Sequence, residues 1–227
     1  MSVTTMIGSA SSNLDMHVNL IWATPNAEEM IVKMARVSAP KNQDNMDTAP
    51  RLLKYLIRNK HWSPFEMANM CVEIETTRAI SPQILRHRSF SFQEFSQRYA
   101  DTSELGSAVI PHLRRQDLKN RQNSIDDIPV EMLGNYYRRI SELYENAEHL
   151  YREMVSNGIA KECARSILPL STQTRLFMNG TLRSWVHYLD LRCSNGTQLE
   201  HQQIAREIRK IFCKEFPTIG EAAFSDE

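Results

Sequence analysis

Apolar residues recur along this chain in two rhythms, one of period two and one near 3.6, and each marks a kind of element. Val18 to Trp22 reads as a first strand, and Asn69 to Thr76 alternates apolar and polar positions as a half-buried strand does. Thr24-Pro25 opens a helical pattern through Glu28, Met30, Ile31 and Met34, with the proline in the first turn. Lys41 to Asp47 is polar, flanked by Pro40 and Pro50, and reads as a loop. Arg51 to Arg58 returns to helical spacing with Leu52, Leu53, Leu56 and Ile57 on one side. Ser81-Pro82 looks like the N-cap and first residue of a short helix ending near His87.

The longest helix runs from Pro129 to Val155, where Asp127 can cap it and Asn157-Gly158 ends it. Its apolar positions are Met132, Tyr136, Ile140, Leu143, Ala147, Leu150 and Met154. A short helix follows to about Ile167, then a strand from Thr172 to Met178 that stops at Asn179-Gly180. Thr181 to Arg192 and Gln198 to Phe216 are two further helices. Ser103 to Asp126 has no clear period, carries a basic cluster from Arg114 to Arg121, and reads as a surface loop or mobile insertion. The sum is an α+β fold: a single helix-rich domain with a small antiparallel sheet over residues 17–227, behind a flexible polar tail at 1–16.

Composition narrows this picture. The 227 residues suffice for one well-buried domain, and 41% hydrophobic with 24% charged residues is ordinary for a globular protein. Lys plus Arg (27) balances Asp plus Glu (27), so no overall field draws the chain to nucleic acid or a membrane surface. An anion site must come from locally clustered arginines. Cys71, Cys163, Cys193 and Cys213 form no C-x-x-C pair and no disulfide framework, which removes the usual support for zinc and fits a reducing compartment. No apolar run reaches the length of a membrane span, and the N-terminus lacks a signal-peptide pattern, so the chain is expected to be cytoplasmic.

Polar chemistry is densest from Arg86 to Tyr99 (RHRSFSFQEFSQRY). Arginine offers a planar fork of donors suited to phosphate, and neighbouring aromatics can stack on a ring system. Gln83, Arg86 and His87 lie at i, i+3 and i+4 and would share a face of the short helix.

R-H-R, seven residues, then S-x-R is the signature of the flavin-dependent thymidylate synthases, and the chain resembles that family from about Val18 to Phe216. His61-Trp62-Ser63-Pro64-Phe65-Glu66 looks like its H-x-S/T-P-F-E segment, although Met67 stands where the family often has His. Ala35-Arg36-Val37-Ser38 is similar to its A-R-V-S, and Arg165 to Leu170 to its R-x-x-L-P-L. Leu182-Arg183-Ser184, Leu189 to Arg192 and Gln198-Leu199-Glu200 match its late R-S, L-x-L-R and Q-x-E segments.

The resemblance implies a homotetramer with active sites shared between subunits. It implies transfer of the methylene group of methylenetetrahydrofolate to C5 of dUMP, with FAD reduced by NADPH as hydride source and no metal. Gln83, Arg86, Glu94, Ser96, Gln97, Arg98, Arg165 and Arg192 would bind dUMP, and Arg192 would be catalytic, stabilising charge on the pyrimidine. His61, Ser63, Arg86, His87, Arg88, Glu94, Thr181, Arg183 and His187 would hold FAD, with Thr181 and His187 standing where some members have Asn.

Two features bear on mechanism. No Pro-Cys-x-His motif supplies the nucleophile of classical thymidylate synthase, so the four cysteines read as packing residues, although Cys163 and Cys193 lie near matched arginines that could lower a thiol pKa. On the helix from Thr181 to Arg192, Arg183, His187 and Asp190 share one side while Arg192 points roughly opposite with Tyr188. Either that helix ends before Arg192 or its two sides serve different parts of the site. A nucleotide or nucleic-acid binder without catalysis, and a flavoprotein acting on another pyrimidine nucleotide, are the alternative readings.

Overall fold

The structure, a computed structural model, describes residues 16–224. The tail expected at 1–16 lies outside the described residues apart from Met16.

Six strands and eight helices occur among the described residues: β1 (Val18–Ala23), α1 (Ala27–Ala35), α2 (Ala49–Arg58), β2 (Asn69–Thr77), α3 (Ser81–Ile84), β3 (Ser91–Glu94), β4 (Arg115–Gln116), β5 (Ser124–Ile125), α4 (Val130–Ser156), α5 (Lys161–Ala164), β6 (Gln173–Thr181), α6 (Leu182–Arg192), α7 (Leu199–Glu215) and α8 (Pro217–Phe224). One sheet has the order β1-β2-β6-β3, and β4 pairs with β5 in a separate hairpin. β1 runs antiparallel to β2 from Val18↔Ile74 to Ala23↔Met70, with a bulge between Leu20 and Trp22. β3 runs antiparallel to β6 from Ser91↔Asn179 to Glu94↔Leu176. This is a helix-rich α+β fold with a small sheet.

The chain forms two compact units, one holding 75–81 and 95–175 and the other 17–74, 82–94 and the residues from 176 on. In the second unit, Ile31, Leu53, Phe65, Met70, Ile74, Leu176, Trp185, Ile208 and Phe212 are almost wholly buried. The Trp185 indole N–H, which would be costly to leave unpaired there, donates to the Met70 carbonyl at 2.9 Å. In the first unit α4 dominates. Arg175 reaches Glu75 Oε1 through Nε (2.9 Å) and a terminal nitrogen (2.6 Å).

Several local expectations are corrected. The Thr24-Pro25 pair precedes α1, which starts at Ala27 behind Asn26 in the left-handed region (φ 50°). Asp127 does not cap α4; it pairs with Arg115, and Pro129 occupies the cap position. The stretch 103–126 is not structureless, since it carries the β4–β5 hairpin. Asn179-Gly180 does not stop the strand, because β6 runs through both to Thr181 and β3 pairs alongside. Gly180 is there for closeness: a Cβ at this position would collide with the Phe90 ring. The apolar positions of α4 are largely uncovered, with Met132, Tyr136, Leu143 and Leu150 all exposed. Finally, α8 packs on α2 and α7 and was not anticipated from the pattern.

Candidate active site

α3 is a single turn. It ends at Ile84, so Arg86 and His87 lie beyond it and no helical face groups them with Gln83. Buried Ile80, Ile84 and Phe90 anchor this stretch, and hydrogen bonds from His87 N to Ile84 O and from Phe90 N to His87 O turn the chain into β3. Arg86 and Arg88 are thereby left exposed, and His87 is half-buried.

α6 continues to Arg192, which decides between the two readings of that helix: its sides face different neighbours. On one side Arg183 pairs with Glu66 of the 3₁₀ turn Ser63–Glu66, and the His187 ring lies 4.8 Å from Trp62. Thr181 caps the helix, its hydroxyl oxygen accepting from Ser184 N at 3.3 Å. Sequence spacing did not separate that role from ligand binding.

On the other side, Arg192 Nε donates to His87 Nε2 at 2.8 Å. Tyr188, 1% exposed, sets its ring 4.8 Å edge-on to His87 and its hydroxyl 2.9 Å from His201 Nε2. Burial, then the Arg192 charge, pushes the His87 pKa down to about 4, and the same causes with His87 added push His201 down to about 3. Burial raises the Tyr188 pKa above its ordinary value. The result is a cation resting on neutral polar groups, with its two terminal nitrogens free of partners among the described residues.

His201 and Tyr188 were not singled out from sequence. A signal existed for His201, which precedes buried Ile204, Ala205 and Ile208 at helical spacing and so sits on the buried face of α7. Gln83 donates to Gln198, and Gln198 to the buried Glu200. His61 and Ser63 are exposed, with the His61 ring 5.9 Å from Tyr55. Glu94 closes β3 and is half-buried.

The remaining residues belong to the other unit. Arg98 pairs with Glu162 at 3.1 Å, and both are about half exposed. Arg165 sits in the turn after α5 with no hydrogen bond or ion pair from its guanidinium among the described residues. Ser96 is half-buried, and Gln97, 6% exposed, has a buried Nε2 without a partner among the described residues. An orphaned buried donor next to Arg98 in the chain fits an anionic, hydrogen-bonding ligand. Likewise, the guanidinium groups of Arg86 and Arg88, unpaired among the described residues, fit the pyrophosphate of a dinucleotide. No cluster of three or more His, Cys, Asp or Glu able to hold a metal occurs among the described residues, and no helix there is long and apolar enough to cross a membrane.

Comparison with known proteins identifies the family. The profile of the family described as thymidylate synthase complementing protein matches residues 19–218. A probable flavin-dependent thymidylate synthase of Paramecium bursaria Chlorella virus 1 is 54% identical over 197 residues, covering 86% of this chain and 90% of the relative. A flavin-dependent thymidylate synthase of a Synechocystis strain is 53% identical over 195 residues, covering 86% and 88%. Among solved structures, the UMP/dUMP methylase PolB of Streptomyces cacaoi bound with 5-Br dUMP superposes with a TM-score of 0.82 at 27% identity, covering 93% of this chain and 95% of that one. With the family profile spanning nearly the whole chain and relatives above half identity, the chain belongs to the thymidylate synthase complementing protein family, that of the flavin-dependent thymidylate synthases.

Proposed function

We propose that the protein methylates dUMP to dTMP, taking the one-carbon unit from methylenetetrahydrofolate, and that it works as a cytoplasmic homotetramer of single-domain subunits. The observation that carries the reading is Arg192. Its Nε is engaged by a neutral His87, so the guanidinium is fixed while both terminal nitrogens stay available. In a family whose members are named for thymidylate synthesis, such a group suits the pyrimidine. Negative charge develops on N3 and O4 when the ring is activated, and a preorganised guanidinium stabilises it without exchanging a proton.

Arg98, Arg165 and Ser96 suit the nucleotide phosphate, and Gln97 supplies a donor that is otherwise unmatched. Glu162 must release Arg98 for that role, which at half exposure is a small cost. Gln83, Arg86 and Glu94 complete the nucleotide set. Arg86, His87, Arg88, His61, Ser63 and Glu94 would hold FAD, with Arg183 and His187 against the 61–66 segment and Thr181 at the start of the same helix. Bound FAD, reduced by NADPH, supplies the hydride that completes the methyl group. Cys71 and Cys193 are buried, and burial raises the Cys71 and Cys213 thiol pKa values, which disfavours the thiolate a nucleophile needs. Cys163 is exposed.

Tritium release from 5-tritiated dUMP, with FAD, NADPH and methylenetetrahydrofolate, tests this directly. Release is expected, and it should be lost in Arg192→Ala while bound-flavin absorbance persists. Folded, flavin-loaded wild type that releases no tritium would refute the reading. A second reading, methylation of UMP, is favoured by the likeness to PolB; a preference for UMP over dUMP in the same assay would select it.

A further inference from the structure

The Q-x-E segment has no part in the assignment above, yet its two polar side chains continue from Gln83 in one line. Gln83 Nε2 donates to Gln198 Oε1 at 2.6 Å, and Gln198 Nε2 donates to Glu200 Oε2 at 2.9 Å. All three residues lie in the same compact unit. Gln198 caps α7 by position and is exposed, whereas Glu200, in the first turn, is only 7% exposed. An acidic group in that turn also faces the positive end of the helix dipole, which holds it in place.

The sense of the chain follows from what each group can do. A carboxylate accepts and cannot donate, so it selects the NH₂ end of Gln198; the opposite orientation would set two acceptors against each other. Gln198 then presents its carbonyl to Gln83, and that carbonyl selects the NH₂ end of Gln83. What remains without a partner among the described residues is the Gln83 carbonyl oxygen. A free amide could turn either end outward, and here the buried carboxylate two links away makes the choice.

We propose that Gln198 and Glu200 are positioning residues that lock the Gln83 amide so that its carbonyl oxygen faces the nucleotide and accepts a hydrogen bond from it. The inference rests on the reading that Gln83 belongs to the dUMP site. Two donors on dUMP qualify, the imide N3–H and the 3′-hydroxyl.

The test is steady-state tritium release by the full chain for wild type, Glu200→Gln, Gln198→Glu and the double variant carrying both. In Glu200→Gln the anchor can donate as well as accept, so the amide orientation is no longer imposed. The KM for dUMP should rise about tenfold, the worth of one hydrogen bond, with kcat little changed. Gln198→Glu alone sets two carboxylates together and should also raise KM. In the double variant the carboxylate at 198 accepts from both neighbouring amides, Gln83 keeps its orientation, and KM should return to within about threefold of wild type. Relief of carboxylate repulsion accounts for a return from Gln198→Glu but not for one from Glu200→Gln, so the recovery relative to Glu200→Gln is what reads the amide orientation. A double variant no better than the single variants, or an unchanged KM in Glu200→Gln, would overturn the proposal.

Thermal unfolding checks each variant, and if Glu200→Gln does not fold, Gln198→Leu, which takes the acceptor away from Gln83, should raise KM for dUMP by a similar factor; an unchanged KM there would overturn the proposal. Binding of 3′-deoxy-dUMP and N3-methyl-dUMP identifies the donor: the penalty of the single variant should vanish with the analogue that lacks it. A penalty that survives with both analogues also refutes the idea. Wild type without tritium release would fail the parent reading instead.

Discussion

Arg192 donates through Nε to His87 Nε2, and a guanidinium stays protonated throughout the range in which proteins work, so that ring nitrogen must be bare. His87 is therefore the tautomer with its proton on Nδ1, and the same surroundings keep His201 neutral. Stability should carry the mark of both rings. In the unfolded chain each takes up a proton as pH falls through about 6.5, while the folded protein resists until about 4 for His87 and about 3 for His201. Between those limits the unfolded state binds more protons, so stability rises with pH from about 4 to 6.5 and gains nothing further from these groups above that. Urea denaturation at pH 5, 6, 7 and 8 should show the fall below pH 7, and the pair His87→Gln with His201→Gln should flatten it by up to two protons. A pH slope equal to that of wild type would refute the assignment of both rings. None of this could be read from R-H-R alone, because nothing in the spacing showed that His87 would meet Arg192 across 105 positions.

At the scale of elements, the join of β6 to α6 depends on one missing side chain. Gly180 lies in the strand against Phe90, whose ring is itself packed on Trp185 at 4.7 Å and Tyr188 at 5.7 Å. Phe90 cannot retreat without disturbing the floor beneath His87 and Arg192. Gly180→Ala should therefore cost about 1–3 kcal/mol of stability, read from chemical denaturation. Phe90→Leu in the same chain should recover part of that loss, and simple additivity of the two changes would show that the ring is not what Gly180 accommodates. Asn-Gly in sequence suggested a turn, since it is so often one. Periodicity otherwise located strands β1, β2 and β6 and helices α2, α4, α6 and α7 to within a few residues, because apolar positions recur in each at the period of its own geometry. It found α3 but ran it on to near His87, since one turn offers too few positions for a period to form, and it opened α1 at Thr24-Pro25, ahead of Asn26, whose left-handed conformation proline spacing does not signal. The resemblance named the candidate arginines and quoted Gln198 and Glu200 without a role; Tyr188, His201 and the link from Glu200 through Gln198 to Gln83 were hidden because these contacts join distant elements.

For the molecule as a whole, the informative surface is that of α4. Met132 is 53% exposed, Tyr136 47%, Leu143 63% and Leu150 46%, yet from Tyr136 onward the apolar positions 136, 140, 143, 147, 150 and 154 step by four and three in alternation. That alternation keeps one seam along a helix and suits packing against another helix. A seam of this kind left in water is costly, and a second copy of the same chain can cover it with a matching seam. This is the surface that supports the proposed tetramer. Leu143→Glu places a charge at its centre. Because Leu143 is already exposed in one subunit, the substitution should leave the folded monomer within about 0.5 kcal/mol of wild type. On a sizing column with light scattering, wild type should run as a tetramer and Leu143→Glu as smaller species at the same concentration. If the active sites are shared between subunits, tritium release by the variant should fall steeply on dilution and recover as protein concentration rises. Full activity in a Leu143→Glu monomer at every concentration would show instead that one chain builds a complete site, with Gln97 finding its partner in the nucleotide alone.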